Sequence, residues 1–327
     1  MIRAILSILF GFTCLHAKER VDLVSYCPLL MPEDQLLALR PDISSVDSFP
    51  MIYQRINEEY DFRATHFSDE YVRDFYDGPN LKKIVYYEYC MNKIQKLPKS
   101  KLVLFKWEAN KIPPALYDRY SFVYTIDDDL VDGEKFFKFY YPALLPMIRE
   151  PTPFHEKKLC TMIVRNWTEE RLRILDFFEA KPPADFEFYG EIHFPYFLNE
   201  RYKGEIPGYH SGIDKIRTLN KYRFGICFEN THTTRGYITE KIFNYFAAGT
   251  VPIYWGPENI LDYVPKGCFI DYRDFISDEG MYQFIKNMDE STYDGYIERI
   301  TAFLNSPAAQ LFSPDFFDKT LLDAVNR

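Results

Sequence analysis

Beyond its first residues, this chain of 327 residues has no apolar run of the roughly 20 residues a helix needs to cross a bilayer. It also lacks a run rich in lysine and arginine, a zinc-spaced array of cysteine and histidine, and any internal repeat. With a formal net charge of −9 it has no general basic face, so the counterion release that drives nucleic-acid binding has no source. Any anionic ligand must be held by a local cluster of cations. Cysteine is sparse as well. Cys14, Cys27, Cys90, Cys160, Cys227 and Cys268 are too scattered to spell a disulfide or metal framework. Cys160 and Cys227 fall in apolar runs that read as strands, where buried free thiols are expected.

What is present is the composition of a folded protein, with 47% apolar and 27% charged residues. The length fits two domains of about 150 residues each. Aromatic residues reach 18%, most of them expected in the core and the remainder available to stack on sugars or bases. Residues 1–17 carry one arginine followed by an apolar stretch too short to span a membrane, which reads as a signal peptide cut after Ala17. A short uncleaved anchor is the alternative and the only route to membrane contact. Either implies export or the secretory lumen, and a cytoplasmic face stays open.

Short apolar runs alternate with polar helical stretches through most of the chain, the rhythm of an α/β fold with parallel sheets. Strands are expected at 62–67, 84–89, 101–106 and 122–126. Proline and charge at 148–158 mark a linker, dividing an N-terminal lobe at 18–150 from a C-terminal lobe at 151–327, whose last helices can pack back on the first. The second lobe repeats the pattern: a strand at 159–164, a helix at 169–180 and a strand at 186–189. A strand at 224–228, a helix at 239–248 closed by Gly249, and a strand at 251–255 follow. Ligands of such units sit at the carboxyl ends of the strands, so the loop after Phe228 is the place to look.

Thr239 is a good N-cap for the helix after that loop, which puts Lys241 in the first turn, where exposed amides and the helix dipole already present positive charge. A lysine there makes sense if an anion lies between. Arg171 has the same address one unit earlier, behind Thr168, and its guanidinium can fork onto two phosphate oxygens. Together they fit a diphosphate. Both are expected on loop-facing helix starts, so truncating either should leave the fold intact. Asp127, Asp128 and Asp129 follow a strand of the first lobe and could hold a divalent metal, but a turn and helix-start use fits them better. His232 reads as a solvated loop histidine.

The segments Phe228-Glu229-Asn230, Gly236-Tyr237-Ile238-Thr239-Glu240-Lys241 and Val251-Pro252-Ile253-Tyr254-Trp255-Gly256 lie within residues 222–275. This region resembles the donor-binding part of the α-1,3-fucosyltransferase family, glycosyltransferase family 10. The likeness runs more loosely back through Leu159, Asn166, Trp167 and Arg171 and into the first lobe at Trp107 and Glu108. It implies a GT-B-type enzyme of two Rossmann-like lobes facing a central cleft. Such an enzyme moves L-fucose from GDP-fucose to a hydroxyl of an oligosaccharide or glycoconjugate in an α-1,3-type linkage, inverting at the anomeric carbon without a metal or other cofactor. By motif position, Asn230, Tyr237 and Lys241 reach the diphosphate or fucose, Glu240 the ribose and Arg171 the phosphates. Glu108, just after the apolar run 104–107, takes the place of the general base, although Ala109 and Asn110 separate it from the prolines at 113 and 114. The same fold with another nucleotide sugar, or a non-catalytic glycan-binding protein on this scaffold, are the alternatives.

Overall fold

The apolar runs assemble into two separate sheets in a computed structural model that describes residues 18–25, 55–66, 80–88, 98–143, 146–192, 199–206 and 213–327. The proposed leader at 1–17, Cys14, Cys27 and Cys90 lie outside these residues. The first sheet contains β1 (Arg20–Ser25), β2 (Asp61–His66), β3 (Leu81–Tyr87), β4 (Leu102–Lys106), β5 (Phe122–Thr125) and β6 (Phe136–Lys138), in the order β2-β1-β3-β4-β5-β6. The second contains β7 (Lys158–Val164), β8 (Phe186–Gly190), β9 (Tyr222–Phe228), β10 (Val251–Trp255) and β11 (Ile270–Asp271), in the order β11-β10-β9-β7-β8. All pairings are parallel. The expected strands match these to within a few residues. The weakly patterned β1 and the three-residue β6 were not foreseen, since so short a run carries no period.

Parallel pairing forces continuous apolar sequence, because helices cover both faces; β4 is buried at all five positions. It also gathers every carboxyl end at one edge of each sheet. In both sheets the strand order reverses beside the first strand, between β1 and β3 and again between β7 and β9, and such a reversal opens a crevice. The two crevices lie on the edges that carry the site.

Helix α1 (Glu169–Glu179) follows β7, α2 (Ile213–Leu219) precedes β9, and α3 (Glu240–Ala247) joins β9 to β10. Ile242, Phe243, Phe246 and Ala247 bury one face of α3 in the second core, where Phe178 also stacks on Phe186 at 4.1 Å. Gly249 ends α3 at φ 61, and its carbonyl accepts from Lys157 Nζ at 2.6 Å and Tyr293 OH at 2.8 Å. The segment expected as a linker runs along the second lobe, where Ile148 N donates to Ala247 O at 2.9 Å. Helices α4 (Asp278–Lys286) and α5 (Glu290–Leu304) stay with that lobe. Helix α6 (Pro314–Asn326), capped by Ser313, crosses back: Phe317 packs on Phe105, Trp107 and Phe139 of the first lobe, and Tyr124 OH donates to Asp323 at 2.8 Å. Among the described residues no helix is long and apolar enough to cross a membrane. Cys160, Cys227 and Cys268 are free and buried.

Candidate active site

The carboxyl ends of β3, β4 and β9 enclose a cavity of about 530 Å³, open to solvent and lined from the first lobe by Glu88, Glu108 and Lys111 and from the second by Asn230, Thr234 and Tyr237. Each wall is built on the end of a strand. On the second lobe, β9 delivers Glu229, whose side chain is fully buried. Its Oε1 accepts from Thr239 N at 2.9 Å, and its Oε2 accepts from Thr239 Oγ1 at 2.7 Å and Lys241 Nζ at 3.1 Å. Thr239 in turn caps α3 by accepting from Lys241 N at 3.4 Å. One carboxylate thus ties the strand end, the cap and the first-turn lysine together. Burial works against the Lys241 charge, but Glu229 and Glu240 hold its ammonium above the ordinary lysine range.

Arg171 is buried rather than loop-facing. Its guanidinium donates to the carbonyl oxygens of Asn166 and Phe228 and, at 3.2 Å, to Asn230 Oδ1, bridging the ends of β7 and β9 at the switch point. Burial pushes its basicity down, with Glu229 opposing. The cations expected on neighbouring turns are therefore brought together, but Arg171 lies under the loop and Lys241 on its rim. Burial pushes the Glu240 carboxyl up, yet Lys241 and Lys215 outweigh it and keep it below the usual carboxylate range.

Tyr237 leaves the second lobe. Its ring is buried in the first lobe's core cluster, and its hydroxyl donates to Glu108 Oε2 at 3.2 Å. Burial, with Glu108 as the next cause, holds that phenol far above its ordinary value, so it stays a donor. Glu108 is exposed at the end of β4. Its backbone N–H and that of Trp107 both donate to Glu88 Oε2 at 2.9 Å.

The three aspartates do not converge. Asp127 accepts from Asp129 N at 3.1 Å, as a cap does. Asp128 receives Lys138 Nζ at 2.7 Å, Asn259 Nδ2 at 2.8 Å and the Tyr263 hydroxyl at 2.6 Å. Burial opposes its charge, but Lys138 and Tyr263 keep its carboxyl below the ordinary range. Asp128 N also donates to Arg235 O at 3.0 Å, so this aspartate clamps the donor loop to the first lobe. The loop answers with Gly236, at φ 75, where a Cβ would stand 2.4 Å from Lys138 Nζ. His232 is not simply solvated; its ring stacks on Trp255 at 4.6 Å.

Residues 154–302 match the family model of glycosyltransferase family 10 (fucosyltransferase), C-terminal part. That segment is a family-10 domain. The mouse 4-galactosyl-N-acetylglucosaminide 3-alpha-L-fucosyltransferase 9 is 31% identical over 141 residues, which is 42% of this chain and 35% of the mouse protein. The chain thus matches about a third of that relative's length. The alpha-(1,3)-fucosyltransferase FucT of Helicobacter pylori is 39% identical over 74 residues, 22% of this chain and 15% of that protein. A crystal structure of an alpha1,3-fucosyltransferase with GDP-fucose is similar across 100% of this chain and 94% of its own, with a TM-score of 0.58 at 14% identity. An alpha-glucosyltransferase in complex with UDP and DNA covers 95% of this chain and 100% of its own, with a TM-score of 0.58 at 13% identity. The two lobes have the GT-B fold.

The family-10 domain contains Arg171, Asn230, Tyr237, Glu240 and Lys241, while Glu108 lies outside it. Within the domain, sequence reasoning passed over Glu229, which organises the donor loop, and Lys215, which faces Glu240. Lys215 carries the signal that singled out Arg171 and Lys241, a cation in the first turn of a helix. Glu229 gave no such signal, since a glutamate after a strand reads as surface until its burial is known. Glu88 and the Asp128 clamp were also missed.

Proposed function

We propose that this protein is an inverting glycosyltransferase that moves L-fucose from GDP-fucose to a glycan hydroxyl in an α-1,3-type linkage. The observation that carries the reading is the shared cavity: a first-lobe carboxylate, Glu108, and the second lobe's donor loop line one space and touch through Tyr237. The relatives of the family-10 domain are fucosyltransferases, one of which is by name an enzyme of galactosyl-N-acetylglucosaminides. In a single displacement, the acceptor oxygen forms a bond to the anomeric carbon as the bond from that carbon to the diphosphate oxygen breaks. Glu108 takes the acceptor proton, and the negative charge goes to GDP. Lys241 meets that charge at the loop rim, and Arg171 supports it from below while orienting Asn230. Glu240 is assigned to the ribose hydroxyls. Tyr237 holds one oxygen of the base and leaves Oε1 for the proton.

Calorimetric titration with GDP and with UDP, followed by turnover of GDP-fucose with an N-acetyllactosamine acceptor, tests this reading. GDP binding at least tenfold tighter than UDP, together with fucosyl transfer, is expected; ten-fold is about 1.4 kcal/mol, the scale of one good polar contact. Equal affinities would give the fold another nucleotide sugar.

A further inference from the structure

Glu88 is the one non-glycine residue with positive φ among the described residues, at 73°. Side chains other than glycine and asparagine avoid this conformation, and a position that keeps a bulky residue there is held by its surroundings. The surroundings are specific. Glu88 N donates to Phe105 O at 2.8 Å, so the turn out of β3 is fastened to β4. Its Oε2 accepts from both Trp107 N and Glu108 N at 2.9 Å, and its Oε1 lies 2.7 Å from Lys106 Nζ. Lys106 is buried and also donates to Glu108 O and to Asn110 Oδ1 at 2.6 Å. The side chain lines the same cavity as Glu108, at the crevice where the first sheet's strand order reverses.

We propose that Glu88 is a positioning residue for Glu108, bracing the backbone on which that carboxylate stands and pairing with Lys106 so that the ammonium does not pull on it. The proposal rests on the reading of Glu108 as the base. Both Glu88 oxygens are engaged by the backbone and Lys106, whereas among the described residues the Glu108 carboxylate meets Tyr237 alone, through Oε2, so the roles do not exchange. The left-handed turn brings the Glu88 carboxylate over the two amides. Glycine would make the turn more easily but would leave the two amides without their acceptor and Lys106 without its ion-pair partner.

The test compares Glu88→Gly, Glu88→Gln and Glu108→Gln as purified full chains, measuring kcat, KM, GDP affinity and Tm. The acceptor is N-acetyllactosamine. Glu88→Gly frees the turn and removes the brace, and a loss of about 100-fold in kcat is expected, the scale of a misplaced reacting group, with GDP affinity unchanged. Glu88→Gln keeps an oxygen for the two amides and should recover most of that loss. An inactive Glu108→Gln beside a Glu88→Gly of near-normal kcat overturns the Glu88 proposal alone. Near-normal turnover in Glu108→Gln overturns the base reading itself, whatever the Glu88 variants do. If Glu88→Gly does not fold, Glu88→Asn decides, since asparagine tolerates the left-handed turn but its side chain is one methylene shorter: a fall in kcat at unchanged GDP affinity supports the proposal, and near-normal kcat refutes it.

Discussion

Glu108 stands exposed at a strand end with one carboxylate oxygen on the Tyr237 hydroxyl, 129 residues away in sequence. Glu108→Gln preserves the shape of that contact and removes the proton acceptor. A fall in kcat of about 100- to 10,000-fold is expected, with GDP affinity and Tm close to wild type, because the nucleotide is gripped by the other lobe. Kinetics, calorimetry and melting on the same preparation check it. The two cations separate at this scale. Arg171→Ala strands the carbonyls of Asn166 and Phe228 in a buried setting, so about 1–3 kcal/mol of unfolding stability should go along with donor affinity. That cost follows from the burial of Arg171, which the sequence led one to expect on a loop-facing helix start. Lys241 is 24% exposed, and a glutamine there can still donate to Glu229. Lys241→Gln should lose about 10- to 100-fold in GDP affinity, the worth of a charge-assisted contact, with little change in Tm. Denaturant titration beside calorimetry distinguishes the pair.

The element that matters most is the turn of chain from β9 through α3 to β10, and its two ends do different work. At the start, Glu229, Thr239 and Lys241 form one hydrogen-bonded group facing the donor side. At the far end, Gly249 takes φ 61, and a Cβ there would stand 3.2 Å from the Pro151 Cβ. Gly249→Ala forces an L side chain into the left-handed region and should cost about 1–2 kcal/mol. GDP affinity should not follow, since the strain lies a full helix away from Lys241. Equal losses of stability and affinity in chemical denaturation and calorimetry would show that α3 transmits strain along its length. The strand, cap and closing glycine could all be read from the chain, because each is a local choice. The buried Glu229 at their centre could not, because its burial depends on β10 and on the Tyr254 hydroxyl that reaches its Oε1 at 3.3 Å.

Across the whole molecule the lobes are joined by the donor loop at Asp128 and by α6 at Phe317. Helix α6 carries the buried Asp318, whose carboxylate lies 3.4 Å from the exposed Arg55. Burial pushes its carboxyl up to about 6, Arg55 resisting and Asp315 adding to the rise. The folded state therefore binds this proton more tightly than the unfolded chain does. The stability it contributes is complete below the ordinary aspartate value of 3.8 and is lost as pH rises through about 6. Asp318→Asn should raise Tm relative to wild type at pH 7, and the advantage should shrink as pH falls from 6 to 4. A difference that stays flat across that range would show that Arg55 fully compensates the burial.

The sequence by itself determined two α/β units, the edges of most strands, the donor loop and the cations at its helix starts. These are read from periodicity, caps and motif spacing, which depend on residues a few positions apart. Only the tertiary structure decided that Arg171 lies beneath the loop, that Tyr237 crosses to Glu108, and that Asp128 clamps the lobes through Tyr263, 135 residues on. Those partners are chosen by which strands lie side by side and how two lobes meet. That choice is made by burial summed over the whole chain, and no local pattern carries it.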